Sequence, residues 1–259
     1  MDKLGEAISE TKNYAQKYGQ KLSREQLFLR LISKNVYQFN EIQKQSDKSG
    51  QKNSWQDKFN KAELFTKKYL SKMKGILMVG ITGSVAAEFA SEGEDIDLLI
   101  VTRENEMWWW RLYLRFFIWW HKIPHRKFGK KEKADEFCFN LWLDKDNLEI
   151  PVSKRNLKNA NDLIMMKVIW DKEGTYYKFL NKNKWVKNYL ATGFEERIKI
   201  SKKGNKKINS QKRKKIKVII NKFLFMGQHW YTRAINKQKP KKDDINLGQA
   251  FFHNIDRVQ

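Results

Sequence analysis

Two acidic residues, Asp95 and Asp97, stand two positions apart at the head of the apolar run Ile96-Asp-Leu-Leu-Ile-Val101, eleven residues after Ser84 of a Gly83-Ser84 pair. Side chains alternate along a strand, so both carboxylates project from one face, with Cα atoms roughly 6.6 Å apart, while Ile96 between them points into the core. Two anions this close repel by a few kcal/mol at an effective dielectric of about 20 unless a cation lies between them. A divalent cation is the natural remedy, since Mg²⁺ is usually held by one or two carboxylates together with substrate phosphates. Two such ions about 4 Å apart clamp the attacking and leaving oxygens of an in-line displacement.

The Gly-Ser pair closes the apolar run Ile76-Leu-Met-Val-Gly-Ile81, which suits a buried strand ending in a turn where Gly83 lets the backbone approach a ligand. A helical turn over 85–89 would then aim its first amides, with the Ser84 hydroxyl, at the oxygens of a triphosphate. Each half alone has a bland reading: Gly-Ser pairs are common, and Glu92, Glu94, Asp95 and Asp97 can simply solubilise a turn. The joint order of strand, Gly-Ser turn, helix and Asp-x-Asp at a strand start selects a nucleotide site.

This segment resembles the DNA polymerase beta-like nucleotidyltransferase superfamily, whose signature is a Gly-Ser turn followed by Asp-x-Asp or Asp-x-Glu. The resemblance implies an α/β (α+β) fold with a mixed sheet and flanking N- and C-terminal helices. It also implies metal-dependent transfer of a nucleoside monophosphate from a nucleoside triphosphate such as ATP to a hydroxyl acceptor. Ser84, with Gly83, would contact the nucleotide's phosphates, and Asp95 and Asp97 would bind Mg²⁺ or Mn²⁺. More loosely, residues 76–190 are similar to a group of prokaryotic proteins built on this domain, which leaves the acceptor open.

In that superfamily a third carboxylate on a later strand often activates the attacking hydroxyl. The stretch 137–143 alternates as such a strand, with Phe137, Phe139, Leu141 and Leu143 on one face and Cys138, Asn140 and Trp142 on the other. Asn140 then occupies the place of the acid; an amide can orient a hydroxyl or water but cannot accept its proton at neutral pH. Asp144-Lys-Asp146-Asn147 is a second Asp-x-Asp that reads as a turn, and Asp144, Asp146 and Glu149 stay open as third ligands. This departure keeps a rival function in play: a catalytically weakened nucleotide- or nucleic-acid-binding protein on the same fold.

The chain must also carry a net charge of +24, and its distribution matters. Residues 197–217 hold eleven Lys and Arg and no acid, the pattern of a flexible, phosphate-attracting loop and a possible contact for nucleic acid. The remaining excess is diffuse. A large apolar and aromatic fraction argues for a folded protein despite the charge, and 259 residues can bury one good core or two small ones. The single cysteine, Cys138, excludes an internal disulfide and points to the cytoplasm, as does an N-terminus without the pattern of a signal peptide. The histidines at 121, 125, 229 and 253 do not form a metal set, because Pro124 interrupts the one helical spacing among them.

Positioning the site are three expected regions: a helical N-terminal region at 1–52, a nucleotidyltransferase core at 53–155, and a C-terminal helical region at 156–259. Ser23-Arg-Glu-Gln26 is a capping box ahead of Leu27, Phe28, Leu31 and Ile32, and the short N-terminal helices read as a helical cap or a degraded helix-turn-helix. A linker is expected at 46–53 and a helix at 55–73 burying Phe59, Leu64, Phe65, Tyr69 and Leu70. Further helices are expected at 161–170, 175–181, 185–190 and 216–234, the last with a stripe of Val218, Ile219, Phe223, Met226 and Trp230. Beyond residue 237 the chain reads as irregular, with Phe251 and Phe252 free to dock.

Met-Trp-Trp-Trp-Arg-Leu-Tyr-Leu-Arg-Phe-Phe-Ile-Trp-Trp at 107–120 is too short and too charged to span a bilayer, and Arg111 and Arg115 lie four apart on one helical face. Three readings stand: a central helix behind the sheet, a membrane-surface helix with arginines at lipid phosphates, or a platform for nucleotide bases. Neither the oligomeric state nor the preferred base is legible.

Overall fold

Apolar runs rich in Ile, Leu and Val form the centre of the sheet in the computed structural model, which describes residues 3–43, 54–126, 133–202, 215–235 and 244–252. Five strands, β1 (Ile76–Ile81), β2 (Ile96–Thr102), β3 (Phe137–Asp144), β4 (Lys167–Asp171) and β5 (Gln249–Phe251), lie in the order β4-β1-β2-β3-β5. The β2/β3 pair is parallel and the other pairs are antiparallel, so the sheet is mixed, as expected. β2, which follows directly on Asp95, is central and almost wholly buried.

The N-terminal helices are α1 (Lys3–Gln16), α2 (Arg24–Leu29) and α3 (Phe39–Gln43), with α4 (Ser54–Lys68) leading into the sheet. The Ser23 capping box forms as its sequence predicts: the Ser23 side chain accepts from the Gln26 amide, and the Ser23 amide donates to Gln26 Oε1. α5 (Gly83–Ala86) and α6 (Met107–Trp120) follow β1 and β2, then come α7 (Leu157–Met165), α8 (Thr175–Lys182), α9 (Lys187–Lys202) and α10 (Lys215–Ile235).

The sheet separates two layers. On one face Ile96, Leu98 and Ile100 pack against Phe65 of α4, Val85 of α5 and Met107, Trp108 and Leu114 of α6. On the other, Leu99, Val101 and Leu143 pack against Leu163 and Ile164 of α7, Phe179 of α8 and Phe194 of α9. A third small cluster joins Ala7, Ile8, Leu27, Leu31 and Ile42 of the N-terminal helices.

Several expectations change. The helix expected over 161–170 stops at Met165, and Lys167–Asp171 is instead edge strand β4 beside β1. The C-terminal segment is not irregular throughout, because Gln249–Phe251 closes the other edge of the sheet. Leu64 does not join the buried face of α4; it is 67% exposed, whereas Phe65 and Leu70 are buried. The expected linker at 46–53 and the middle of the basic run lie outside the described residues, while the ends of that run continue α9 and open α10.

The helix at 107–120 is neither a central buried element nor one with both arginines in solvent. Trp108, Leu114 and Ile118 face the sheet and Trp109, Phe116, Trp119 and Trp120 face out. Arg111 turns inward, donates to Gln228 Oε1 of α10 and lies 4.2 Å over the Phe252 ring, while Arg115 is exposed beside Tyr231. The apolar stripe of α10 is likewise exposed rather than packed.

Candidate active site

The site is built by the register of β1 against β2. Beyond Ile81, the Thr82 amide donates to the Asp97 carbonyl at 2.9 Å, which holds the turn over the head of β2. Gly83 therefore lies against the Asp97 side chain: it sits at φ +66°, and a Cβ there would stand 2.7 Å from Asp97 Oδ2. Both the left-handed backbone and the close approach demand glycine. The helical turn expected over 85–89 begins two residues earlier and ends at Ala86, so Ser84 lies within α5 rather than in a turn ahead of it.

Asp95 is presented from the other side by a clamp. Buried Lys58 of α4 donates to the carbonyls of Glu92 (3.0 Å) and Glu94 (2.8 Å) and to Asp135 Oδ1 (2.7 Å), fixing the loop just ahead of β2. As a result the carboxylate oxygens of Asp95 and Asp97 and the Cys138 sulfur lie within 4.8 Å of one another. Gly83, Ser84, Asp95 and Asp97 all line one cleft of about 370 Å³.

Electrostatics in this corner follow from burial. Asp95 is pushed above the ordinary carboxylate range first by desolvation and then by the Asp97 charge, with hydrogen bonds from Cys138 and the Arg126 guanidinium acting in the opposite direction. Arg126 Nη1 stands 3.2 Å from Asp95 Oδ2. The Cys138 thiol is pushed far up by burial and by both carboxylates, so it stays protonated at neutral pH. The donor set fits a divalent cation: two carboxylates on one strand face supply hard oxygens suited to Mg²⁺ or Mn²⁺, while a protonated thiol adds little to such an ion.

The β3 side corrects the expected alternation. Asp97 pairs with Cys138, but Leu99 pairs with Leu141, so β3 carries one extra residue across this interval. The faces exchange there: Leu141 and Leu143 point to the same layer as Leu99, whereas Phe137, Phe139 and Trp142 share the opposite one. Cys138, rather than Asn140, is therefore the β3 residue beside the aspartates, and Asn140 Nδ2 donates to the Cys138 sulfur.

Neither Asp144 nor Glu149 reaches the pair. Asp144 is six residues along β3, about 20 Å away by strand rise, and accepts from the Asn105 and Asp146 amides at 2.6 and 2.8 Å. It caps a turn, and burial raises its pKa to about 6. Asp146 is exposed in that turn, and Glu149 pairs with Arg155 at 2.6 Å.

The sequence reading did not single out Arg126, Cys138 as a site residue, Lys58, or the cationic wall of the cleft. That wall includes Arg30, whose Nε donates to Asn161 Oδ1 at 3.0 Å, and Lys154 and Lys158. Tyr14 and Tyr18 stand at the cleft as a tilted ring pair. Glu94 also lines it, with a buried Oε2 that has no hydrogen-bond partner among the described residues. Only Cys138 carried a usable signal, as the neighbour of Asn140 in an alternating run; the others converge through tertiary packing.

The mixed sheet, the glycine turn and the paired carboxylates define a nucleotide-transferring class of fold. The nucleotidyltransferase domain family matches residues 66–242, more than half of the chain, and the chain belongs to that family. No curated protein and no solved structure matches it.

Proposed function

We propose that this cleft binds a nucleoside triphosphate with Mg²⁺ or Mn²⁺ and transfers its nucleoside monophosphate to a hydroxyl acceptor. The observation that carries the reading is the convergence of Asp95, Asp97 and Gly83 in a single cleft. Asp95 and Asp97 would hold the cation, which when bound neutralises phosphate charge and lowers the barrier to attack at the α-phosphorus.

The chain's own groups supply the rest. The glycine at 83 lets the backbone of the turn approach phosphate oxygens, and Ser84 offers a hydroxyl donor beside it. Lys154 and Lys158 give the cleft a cationic wall for the leaving phosphates, Lys154 being held in place by its ion pair with Asp244. The acceptor oxygen forms a bond to the α-phosphorus, the bond to the bridging oxygen breaks, and pyrophosphate departs. The acceptor's proton needs a base outside the metal-holding pair. Asn140 has no basic site and Cys138 stays protonated, which leaves Glu94 and Asp162 among the cleft's other carboxylates; Glu94, next to Asp95 in the chain and with an Oε2 that has no hydrogen-bond partner among the described residues, is assigned that role.

A second reading is supported by one observation, the thiol and amide of Cys138 and Asn140 on the strand where a third acid is expected. On that reading the chain binds nucleotide, or nucleic acid through the basic run 197–217, without turnover. One experiment separates them. The protein is incubated with α-labelled nucleoside triphosphates and Mg²⁺ or Mn²⁺ against RNA, protein and small-molecule acceptors. Label transfer that disappears in Asp95→Asn and Asp97→Asn, with the fold retained, supports the enzyme. Turnover retained in either variant removes the assignment of the metal site.

A further inference from the structure

α6 and α10 lie side by side on the layer away from α7 to α9. Trp108 meets Asn221, Arg111 meets Gln228 and Arg115 meets Tyr231, so both helices advance in the same direction. The contact between them combines one ring pair, Trp108 against Phe225 at 5.1 Å, with buried polar groups. The Asn221 Oδ1 accepts from the Trp108 amide at 2.9 Å, and Gln228 Nε2 donates to the Trp108 carbonyl at 2.9 Å. Of its described apolar residues, α10 therefore keeps only Leu224 and Phe225 against the core and is otherwise unlike a helix of a water-soluble core: Asn221, Gln228 and Thr232 are buried, while Phe223, Met226 and Trp230 are 71%, 58% and 72% exposed.

α6 extends the same character. Trp119 and Trp120 are each 67% exposed, with Phe116 stacked against Trp120. At roughly 200 Å² per aromatic side chain, the exposed parts of the two helices sum to something on the order of 1,000 Å², well above the patches that monomeric soluble proteins leave in water.

Charge selects the occupant. Neither helix contains an Asp or Glu, Arg115 and Lys222 are exposed among the aromatics, and the acid-free run 197–217 leads in sequence into α10. A second copy would bring the same cations, on a chain of net charge +24. RNA would find aliphatic Ile219, Ile220 and Met226 where it needs stacking planes and donors. Tryptophans that mix with aliphatics above a cationic rim match the headgroup boundary of an anionic bilayer. Among the described residues no helix is long and apolar enough to cross a membrane, so the pair would lie in its plane.

We infer that the joint outer face of α6 and α10 docks the protein on anionic phospholipid bilayers. The aromatic and aliphatic side chains enter the acyl boundary, and Arg115 and Lys222 meet lipid phosphates. This assignment is independent of whether the cleft turns over nucleotide.

The test is sedimentation of the full chain with vesicles of phosphatidylcholine alone or with about one third phosphatidylglycerol, at two salt concentrations. The expected result is partition onto the anionic vesicles that weakens with salt. Phe223→Ser with Trp230→Ser, both at exposed positions, should lower that partition roughly ten-fold or more with an unchanged circular dichroism spectrum. Lys222→Glu should lower it several-fold on anionic vesicles only. Any of three results overturns the inference: a chain that stays in the supernatant, partition insensitive to the double serine variant, or a stable dimer in which that variant alone restores the monomer.

Discussion

Asp97→Asn should make the metal-free protein more stable while abolishing its response to metal, a pair of effects that a structural aspartate would not produce. The Asp95 and Asp97 oxygens lie within 4.8 Å, and two unit charges at that separation and an effective dielectric near 20 repel by about 3.5 kcal/mol. Arg126, 3.2 Å from Asp95, offsets part of this, and Asp97 is only half-buried, so solvent screens it further. A net relief of about 1–2 kcal/mol remains, worth a rise in Tm of roughly 2–8 °C for a chain of this size. Asparagine keeps the shape of the side chain under Gly83, and Arg126 keeps its partner Asp95.

In wild type, Mn²⁺ at a hundredfold excess over its Kd should add about 2.7 kcal/mol, whereas the variant should gain almost nothing. Differential scanning fluorimetry in EDTA and in a Mn²⁺ titration reads both effects without needing an acceptor. A variant that melts below wild type in EDTA, or that gains as much from Mn²⁺, refutes the claim that these carboxylates form a strained cation site.

Gly83→Ala places a side chain in the left-handed region, costing about 1–2 kcal/mol, and drives a methyl group into Asp97 Oδ2. Label transfer should fall about a hundredfold while thermal stability falls only modestly; parallel losses would mean that Gly83 serves the fold alone. Glu94→Gln should lower kcat by about 10²–10⁴-fold and leave the nucleotide-induced Tm shift intact, and an unchanged kcat would remove Glu94 as the base. Asp144 is raised from 3.8 to about 6 by burial, so the fold favours its neutral form: that stability is fully present below pH 4 and is lost as pH rises through 6. Wild type minus Asp144→Asn unfolding free energy should therefore fall by about 2 kcal/mol between pH 4 and 7 in urea melts, and a flat difference would contradict it.

How much of this was legible depended on whether a feature is local. The Gly83 turn, the Asp95/Asp97 pair and the Ser23 cap are each written in contiguous residues, because strand alternation and helix capping are short-range rules. β4 was hidden because Lys167-Val-Ile-Trp-Asp follows the apolar helical run of α7 without a break signal; its β-branched and aromatic residues favour a strand, and the pairing with β1 makes it one. The extra residue in β3 was invisible for a similar reason: alternation through 137–143 is unbroken in sequence, and the shift exists only relative to β2. The periodicity of α10 was read correctly as one apolar face. Which way that face points was not legible, since periodicity alone does not say whether the apolar or the polar face meets the core.

The last strand explains how one small domain can carry both the cleft and the helix pair. β5 pairs with β3, the strand that brings Cys138 to the aspartates, and its Phe251 lines the cleft. Just ahead of it Asp244 holds Lys154 at the cleft wall. On the opposite layer the Leu247 carbonyl accepts from Trp108 Nε1 at 3.1 Å, and Phe252 lies under Arg111, the residue that links α6 to α10. Nine residues thus set the edge of the nucleotide cleft and the seat of α6 at once.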